Sequence, residues 1–318
     1  MLNEYITSAL ALLRGRVPRQ VIIQLTDACN ASCPQCGMRA SAKFKRSRLN
    51  KIKVREMIEH AVRQKVQAIS FTGGEPFLHE DDLFELIRYA KISGIRFTRT
   101  GTNGLPFLNP TAADFDARVN LFSDKLNWSG VDNFWISLDS ADVGVHESSR
   151  GLPGVVTGIE KALPILEKRG VYPTVNIGLN RILGGNLPER YLNQEEAYEF
   201  YTRGLRRLFN RAIDLGFTIL NCCYPMTSQE ESFERDASVY QATSDNEMIT
   251  FPKNELKGLY RALFDLIPEY RKQIRIFTPR SSLYSLMAEQ QAHGCCARGC
   301  RGGSDYLFVS STAGHAYP

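Results

Sequence analysis

Short apolar runs rich in β-branched residues alternate along the chain with longer segments whose apolar positions recur every three or four residues. The runs, at 21–25, 68–72, 95–100, 133–138, 174–179 and 217–221, have the length and composition of strands. The segments between them, at 54–64, 81–92, 113–126, 155–168 and 195–215, carry a helical period. In the first, Val54, Met57, Ile58, Ala61 and Val62 fall on one face. Asp81 and Asp82 suit the positive end of the second helix, and Gly94 and Gly170 follow helices as stops. Strands separated by helices in this way predict parallel βαβ units. The expected fold class is therefore α/β, and six such units form either a partial (β/α)6 barrel of parallel strands or an open doubly wound sheet.

The flanks are less regular. Residues 2–13 read as a short amphipathic helix that sets 1–17 apart from a core at 18–226. A region at 227–292 begins with a polar, acidic stretch at 229–245, a lid or loop, and continues with a helix at 256–267. The last segment, 293–318, is rich in Gly, Cys and Ser and reads as a small irregular extension.

With 318 residues, 43% hydrophobic and 23% charged, the chain has an ordinary globular balance, which excludes a disordered or fibrous protein. The net charge of +5 is scattered, so no nucleic-acid partner is expected. The apolar run at 9–13 is too short to span a bilayer and lacks a cleavage pattern, and no later run is long enough. That predicts a cytoplasmic protein with no membrane partner. Eight cysteines fall in three clusters, Cys29/Cys33/Cys36, Cys222/Cys223 and Cys295/Cys296/Cys300. In a reducing compartment such clusters point to metal binding or redox chemistry rather than disulfides.

The first cluster, CxxxCxxC, lies on the loop that leaves the first strand. Its spacing brings three thiolates within reach of one small metal centre, and thiolates are soft ligands suited to zinc or iron–sulfur clusters. Structural zinc takes four closed ligands, and no histidine or fourth cysteine lies nearby, so one coordination position stays open. A zinc knuckle that recruits Cys295 or Cys300 is the alternative.

This motif, on the first loop of a six-unit β/α array, resembles the radical S-adenosylmethionine (SAM) superfamily over about residues 18–225. The resemblance implies that Cys29, Cys33 and Cys36 hold a [4Fe–4S] cluster whose free iron is chelated by SAM. Gln35 departs from the family, which often has an aromatic residue just before the third cysteine. Gly73-Gly74-Glu75-Pro76 resembles the family's GGEP motif, which binds the SAM amino group. By the same resemblance Met38, Asn103, Ser137, Arg150 and Asn176 are assigned to the cofactor. Arg150 is expected at the SAM carboxylate and Asn176 at the ribose, while Tyr224 and Pro225 line the adenine. Of Cys222 and Cys223, one is expected to fill the core. The other would face the interior, where it meets substrate or donates a hydrogen atom.

The last cluster, with the run Tyr306 to Val309 and the return to Tyr317-Pro318, resembles the opening of a SPASM or twitch domain. That implies an auxiliary [4Fe–4S] cluster near Cys295, Cys296 and Cys300, with its next cysteine due just beyond Pro318. The implied chemistry is reductive cleavage of SAM to a 5′-deoxyadenosyl radical, which removes a hydrogen atom from a peptide or protein substrate. A small-molecule substrate, in cofactor-precursor maturation, is the alternative, and a flavodoxin or ferredoxin is the expected electron donor. An iron–sulfur electron carrier without SAM chemistry and a zinc-stabilised scaffold are the competing classes.

Overall fold

The computed structural model describes residues 20–36, 46–225, 246–289, 306–312 and 314–317. The expected N-terminal helix, Met38, the acidic stretch at 229–245 and Cys295, Cys296 and Cys300 lie outside the described residues.

Seven strands lie side by side in chain order, all parallel: β1 (Gln20–Thr26), β2 (Ala68–Gly73), β3 (Phe97–Thr102), β4 (Asn133–Ser137), β5 (Thr174–Gly178), β6 (Ile219–Cys223) and β7 (Arg275–Ile276). Between them run α1 (Lys51–Arg63), α2 (Glu80–Ile92), α3 (Phe115–Ser129), α4 (Val143–Arg150), α5 (Val155–Lys168), α6 (Gln194–Asp214) and α7 (Lys253–Tyr270), with α8 (Arg280–Glu289) after β7. The free edge of β1 is taken by β8 (Tyr306–Val309), parallel and in register Gln20↔Tyr306. Antiparallel β9 (Ala316–Tyr317) follows it, so this part of the C-terminal extension is ordered as an edge hairpin. The sheet stays open.

Alternate strand residues, among them Ile23, Ile69, Phe71, Ile136, Val175 and Leu220, share one core with helix residues such as Ile58, Ile87, Val119 and Leu205. Many of the opposite positions are polar, among them Gln20, Ser70, Arg99, Asn133, Ser137, Asn176 and Asn221, beside apolar Ile22, Trp135 and Ile219. A sheet covered by helices on both faces is apolar at nearly every position. This one-sided pattern instead marks the concave wall of a partial barrel.

Two strands begin two residues later than their apolar runs, β3 at Phe97 and β6 at Phe217's second neighbour, Ile219. The cause is a shared helix ending. Ile95 donates to the Ala90 carbonyl (3.0 Å) and Phe217 to that of Ala212 (3.0 Å), each just past a glycine at positive φ. This is a Schellman cap, whose apolar residue packs back on its own helix. Val66 after α1 and Val171 after α5 make the same bond. At α1 the left-handed position is Lys65, with φ +56°. A side chain there costs roughly 1 kcal/mol, so Lys65→Gly should stabilise the protein by up to that amount, read as a raised urea midpoint.

Helix α4 was not expected. It has few strong helix formers, and it holds because Asp142 caps it, accepting from the Val145 amide (2.9 Å), and because His146 and Arg150 are buried.

Candidate active site

The C-terminal ends of the strands gather at one rim of the sheet, and the cysteine loop springs from β1 there. Its two stems are zipped together. Buried Asp27 accepts from the Ser47 amide (2.7 Å) and hydroxyl (3.0 Å), Thr26 Oγ1 donates to the Ser47 carbonyl (3.0 Å), and Leu49 donates to that of Leu25 (2.8 Å). Cys29, Cys33 and Cys36 are partly buried within the loop. Cys29 Sγ accepts from the Ala31 amide (3.4 Å) and from Asn103 Nδ2 (3.5 Å). Burial pushes the Cys29 thiol up, and that of Cys33 up to about 11, against the opposing pull of the Arg150 guanidinium.

The glycine motif at the end of β2 lies against the root of this loop. Gly74 donates to the Thr26 carbonyl (2.7 Å) and Glu75 to that of Ala28 (2.8 Å). A Cβ at Gly74 would collide with the Ala28 carbonyl. Gly74→Ala is therefore expected to destabilise the protein by about 1–3 kcal/mol, the range for overpacking, and to lower the iron retained after reconstitution, both measurable on one preparation. Glu75 is wholly buried. Its Oε1 accepts from the Phe77 amide (3.2 Å) and its Oε2 from the Asn103 amide (2.7 Å), so it ties the end of β2 to the end of β3. Burial pushes its carboxyl up to about 7 in spite of these donors. Pro76 opens a short 3-10 turn that sets Phe77 among Phe84, Phe122 and Phe134. Asn103 reaches back to the loop, donating through Nδ2 to Asn30 Oδ1 (2.9 Å).

At the end of β4 the guanidinium of Arg150 is engaged by a neighbour. Its Nε donates to Asp139 Oδ2 (2.8 Å) and its Nη2 to Oδ1 (2.9 Å), both side chains being buried. Expected at the SAM carboxylate, Arg150 already carries a bidentate protein partner, because α4 turns its last residue under the strand end. Gln35 Nε2 donates to the same Asp139 Oδ2 (3.3 Å), and the Ser32 amide donates to the Arg150 carbonyl (2.7 Å). The residue that departs from the family pattern thus links the cysteine loop to the ion pair. His146, fully buried, accepts from the Asp139 amide through Nδ1 (3.1 Å). Burial, aided by Arg150, pushes it down to about 4, so the imidazole is neutral near pH 7. Sequence reasoning missed Asp27, Ser47, Asp139 and His146 as site-builders. The acid and the arginine eleven positions apart at 139 and 150 were the available signal.

On the concave face Asn176 Oδ1 accepts from Asn221 Nδ2 (2.9 Å) and from the Cys223 thiol (3.2 Å). Cys222 points the other way and is buried in the core. Ser137 sits beside Asn176 in register at the same rim. Tyr224 packs edge-on against Tyr260 of α7.

Among the described residues no three His, Cys, Asp or Glu side chains converge on a single metal ion. The three thiols nevertheless share one short loop, each partly buried. Two buried side-chain atoms at the loop, Asn30 Nδ2 and Gln35 Oε1, have no partner. A soft, three-thiol donor set with orphaned polar atoms beside it fits a multi-atom iron–sulfur cluster with a polar ligand better than a mononuclear ion.

The family model of the radical SAM superfamily matches residues 23–186, the stretch that runs from within β1 past β5 and holds the cysteine loop and the glycine motif. The chain belongs to this superfamily of enzymes, which bind a [4Fe–4S] cluster and SAM. An AdoMet-dependent heme synthase of Methanosarcina barkeri is 24% identical over 95% of this chain and 76% of its own length. A pre-heme d1 synthase of Dinoroseobacter shibae is 29% identical over 60% of this chain, which spans 44% of that relative. In fold the chain is similar to Streptococcus suis SuiB, solved with SAM and with the precursor peptide SuiA. The TM-score is 0.62 at 14% identity, covering 99–100% of this chain and 63–64% of that one. No helix among the described residues is long and apolar enough to cross a membrane.

Proposed function

We propose that this radical SAM enzyme acts on a small-molecule cofactor precursor held against the concave face, with Cys29, Cys33 and Cys36 as the ligands of its [4Fe–4S] cluster. The observation that carries the substrate class is the match to a heme synthase along 95% of the chain. When bound, the cluster and SAM supply one-electron chemistry that ends in hydrogen-atom abstraction. The chain's own residues position and shield. The Asp27–Ser47 clamp and the Glu75 strut fix the cysteine loop against β2 and β3, and Gly74 lets backbone run close beside it. The Asp139–Arg150 pair braces the loop from β4. Ser137, Asn103 and Asn176 offer neutral hydrogen-bonding groups at the rim to the polar parts of SAM. A one-electron donor such as a flavodoxin or ferredoxin completes the reaction.

A peptide or protein substrate is the second reading, favoured by the open sheet, which leaves one side of the concave face unclosed to an extended chain.

The test is anaerobic reconstitution with iron and sulfide, then dithionite and SAM, scored for 5′-deoxyadenosine. The wild type should release it, and the Cys29→Ala/Cys33→Ala/Cys36→Ala variant should not. An intact, reducible cluster that never cleaves SAM would overturn the proposal. Adding deuterated tetrapyrrole precursors or deuterated peptides separates the substrate readings, because label enters 5′-deoxyadenosine only from the true class.

A further inference from the structure

Among the described residues, none of the nine strands contains an aspartate or glutamate, and their only charged side chains are Arg99 of β3 and Arg275 of β7. Arg99 pairs in register with Ser70 on one side and Asn133 on the other, so it stands in the middle of the concave face. One step nearer the rim on that face, Gly101 faces Trp135. A Cβ at Gly101 would run into the indole, which therefore lies across this position and presents a half-exposed flat wall.

Among the described residues the two most buried arginines both have carboxylate partners, Arg150 with Asp139 and Arg181 with Glu255. Arg99 has none. It is half-buried and makes no ion pair among the described residues, and its Nε is shut off from solvent without a hydrogen-bond acceptor. Burial pushes its guanidinium down from the ordinary arginine value with no carboxylate to offset it. An arginine does not shed its proton in a protein, so the unmet donor persists as a cost that an anionic acceptor would remove. The neighbouring polar groups are neutral, and some are already satisfied, as where Asn133 Nδ2 donates to Thr174 Oγ1 (2.9 Å).

We propose that Arg99 is the subsite that receives an oxyanion of the substrate, a carboxylate or a phosphate, with Trp135 as the adjoining apolar wall. This rests on the radical SAM reading only in taking the concave face as the substrate chamber. A planar guanidinium fork takes either oxyanion in bidentate fashion. The substrate is then anionic at one end, and its anion lies deeper along the strands than the cysteine loop.

The test treats the reconstituted wild-type protein with phenylglyoxal, which modifies arginines, at constant ionic strength with glutarate, pyrophosphate or neither. Mass spectrometry then follows Arg99, with the exposed Arg275 as internal reference. Glutarate or pyrophosphate is expected to slow modification of Arg99 by about fivefold, as a charge-assisted bidentate contact implies, and to leave Arg275 unchanged. Whichever anion protects identifies the source, carboxylate or phosphate. Equal slowing at both arginines, or at neither, overturns the proposal. In parallel, the protecting anion should raise the melting temperature of the wild type and not of Arg99→Gln. This arm decides where Arg99 resists the reagent, while the footprint decides where the variant does not fold. Release of 5′-deoxyadenosine by the same preparation reports on the radical SAM reading separately, so a failed footprint beside active SAM cleavage removes the subsite alone.

Discussion

Asp139→Ala should lower the stability of the folded protein by about 3–5 kcal/mol, the range for removing one partner of a buried ion pair. The loss comes mainly from what remains, a buried Arg150 guanidinium without its two carboxylate acceptors. Replacing both partners, Asp139→Leu with Arg150→Met, should restore most of the stability, because a well-packed apolar pair escapes the desolvation of two charges. Urea titration of both variants checks this, and a loss under about 1 kcal/mol in the single variant would show a pair solvated like a surface one. Acid should act through the same residue. Burial pushes the Asp139 carboxyl up, but Arg150 overcomes it and leaves the group below its ordinary value of 3.8. A carboxyl depressed in the folded state stabilises at pH above its unfolded value, and that contribution is lost as pH falls through the folded one. The stability difference between wild type and Asp139→Ala should therefore be constant near neutrality and shrink below about pH 4. Because the Arg150 carbonyl holds Ser32, the single variant should also retain less iron after reconstitution.

Glu255→Ala should cost a similar amount, about 3–5 kcal/mol, at the second buried ion pair, Arg181–Glu255. Glu255 of α7 is fully buried. Its Oε1 accepts from Arg181 Nε (2.7 Å) and the Tyr201 hydroxyl (2.5 Å), and its Oε2 from the Leu192 amide (3.1 Å). One carboxylate thus joins the segment after β5, helix α6 and helix α7. Its removal strands a buried cation, a phenol and a backbone donor together. Tyr201→Phe, which removes a single hydrogen bond, should cost only about 1 kcal/mol. Comparing the two urea midpoints tests the account, and equal losses would contradict it, since they would place the whole effect in Tyr201. The iron content of Glu255→Ala after reconstitution should match the wild type at temperatures where the variant stays folded.

The six central strands were legible because each holds a β-branched run that one buried face demands. The boundaries that slipped did so for a stated reason: Ile95 and Phe217 are apolar because they close helix caps, and a one-dimensional pattern cannot tell that burial from a strand's. Helix α4 was hidden because its stability comes from tertiary burial of His146 and Arg150 rather than from helix propensity. Strand β7 has two residues, too few to register any period. The three thiols and the Gly-Gly-Glu-Pro run were visible as short-range motifs. What the sequence left illegible was pairing across distance: Asp27 with Ser47, Glu75 with the Asn103 amide, and Asp139 with both Arg150 and Gln35. Each is a polar residue of an ordinary type whose meaning depends on which strand end it meets.

The hairpin that flanks β1 gives synthesis of this chain a particular hazard. Among the described strands β1 is made first, and β8, the partner for its outer edge, is made only after β7. Until then the outer backbone groups of an apolar strand, Gln20–Thr26, lie open to any other strand that passes. Nascent or shortened chains ending before Tyr306 should therefore associate through this edge.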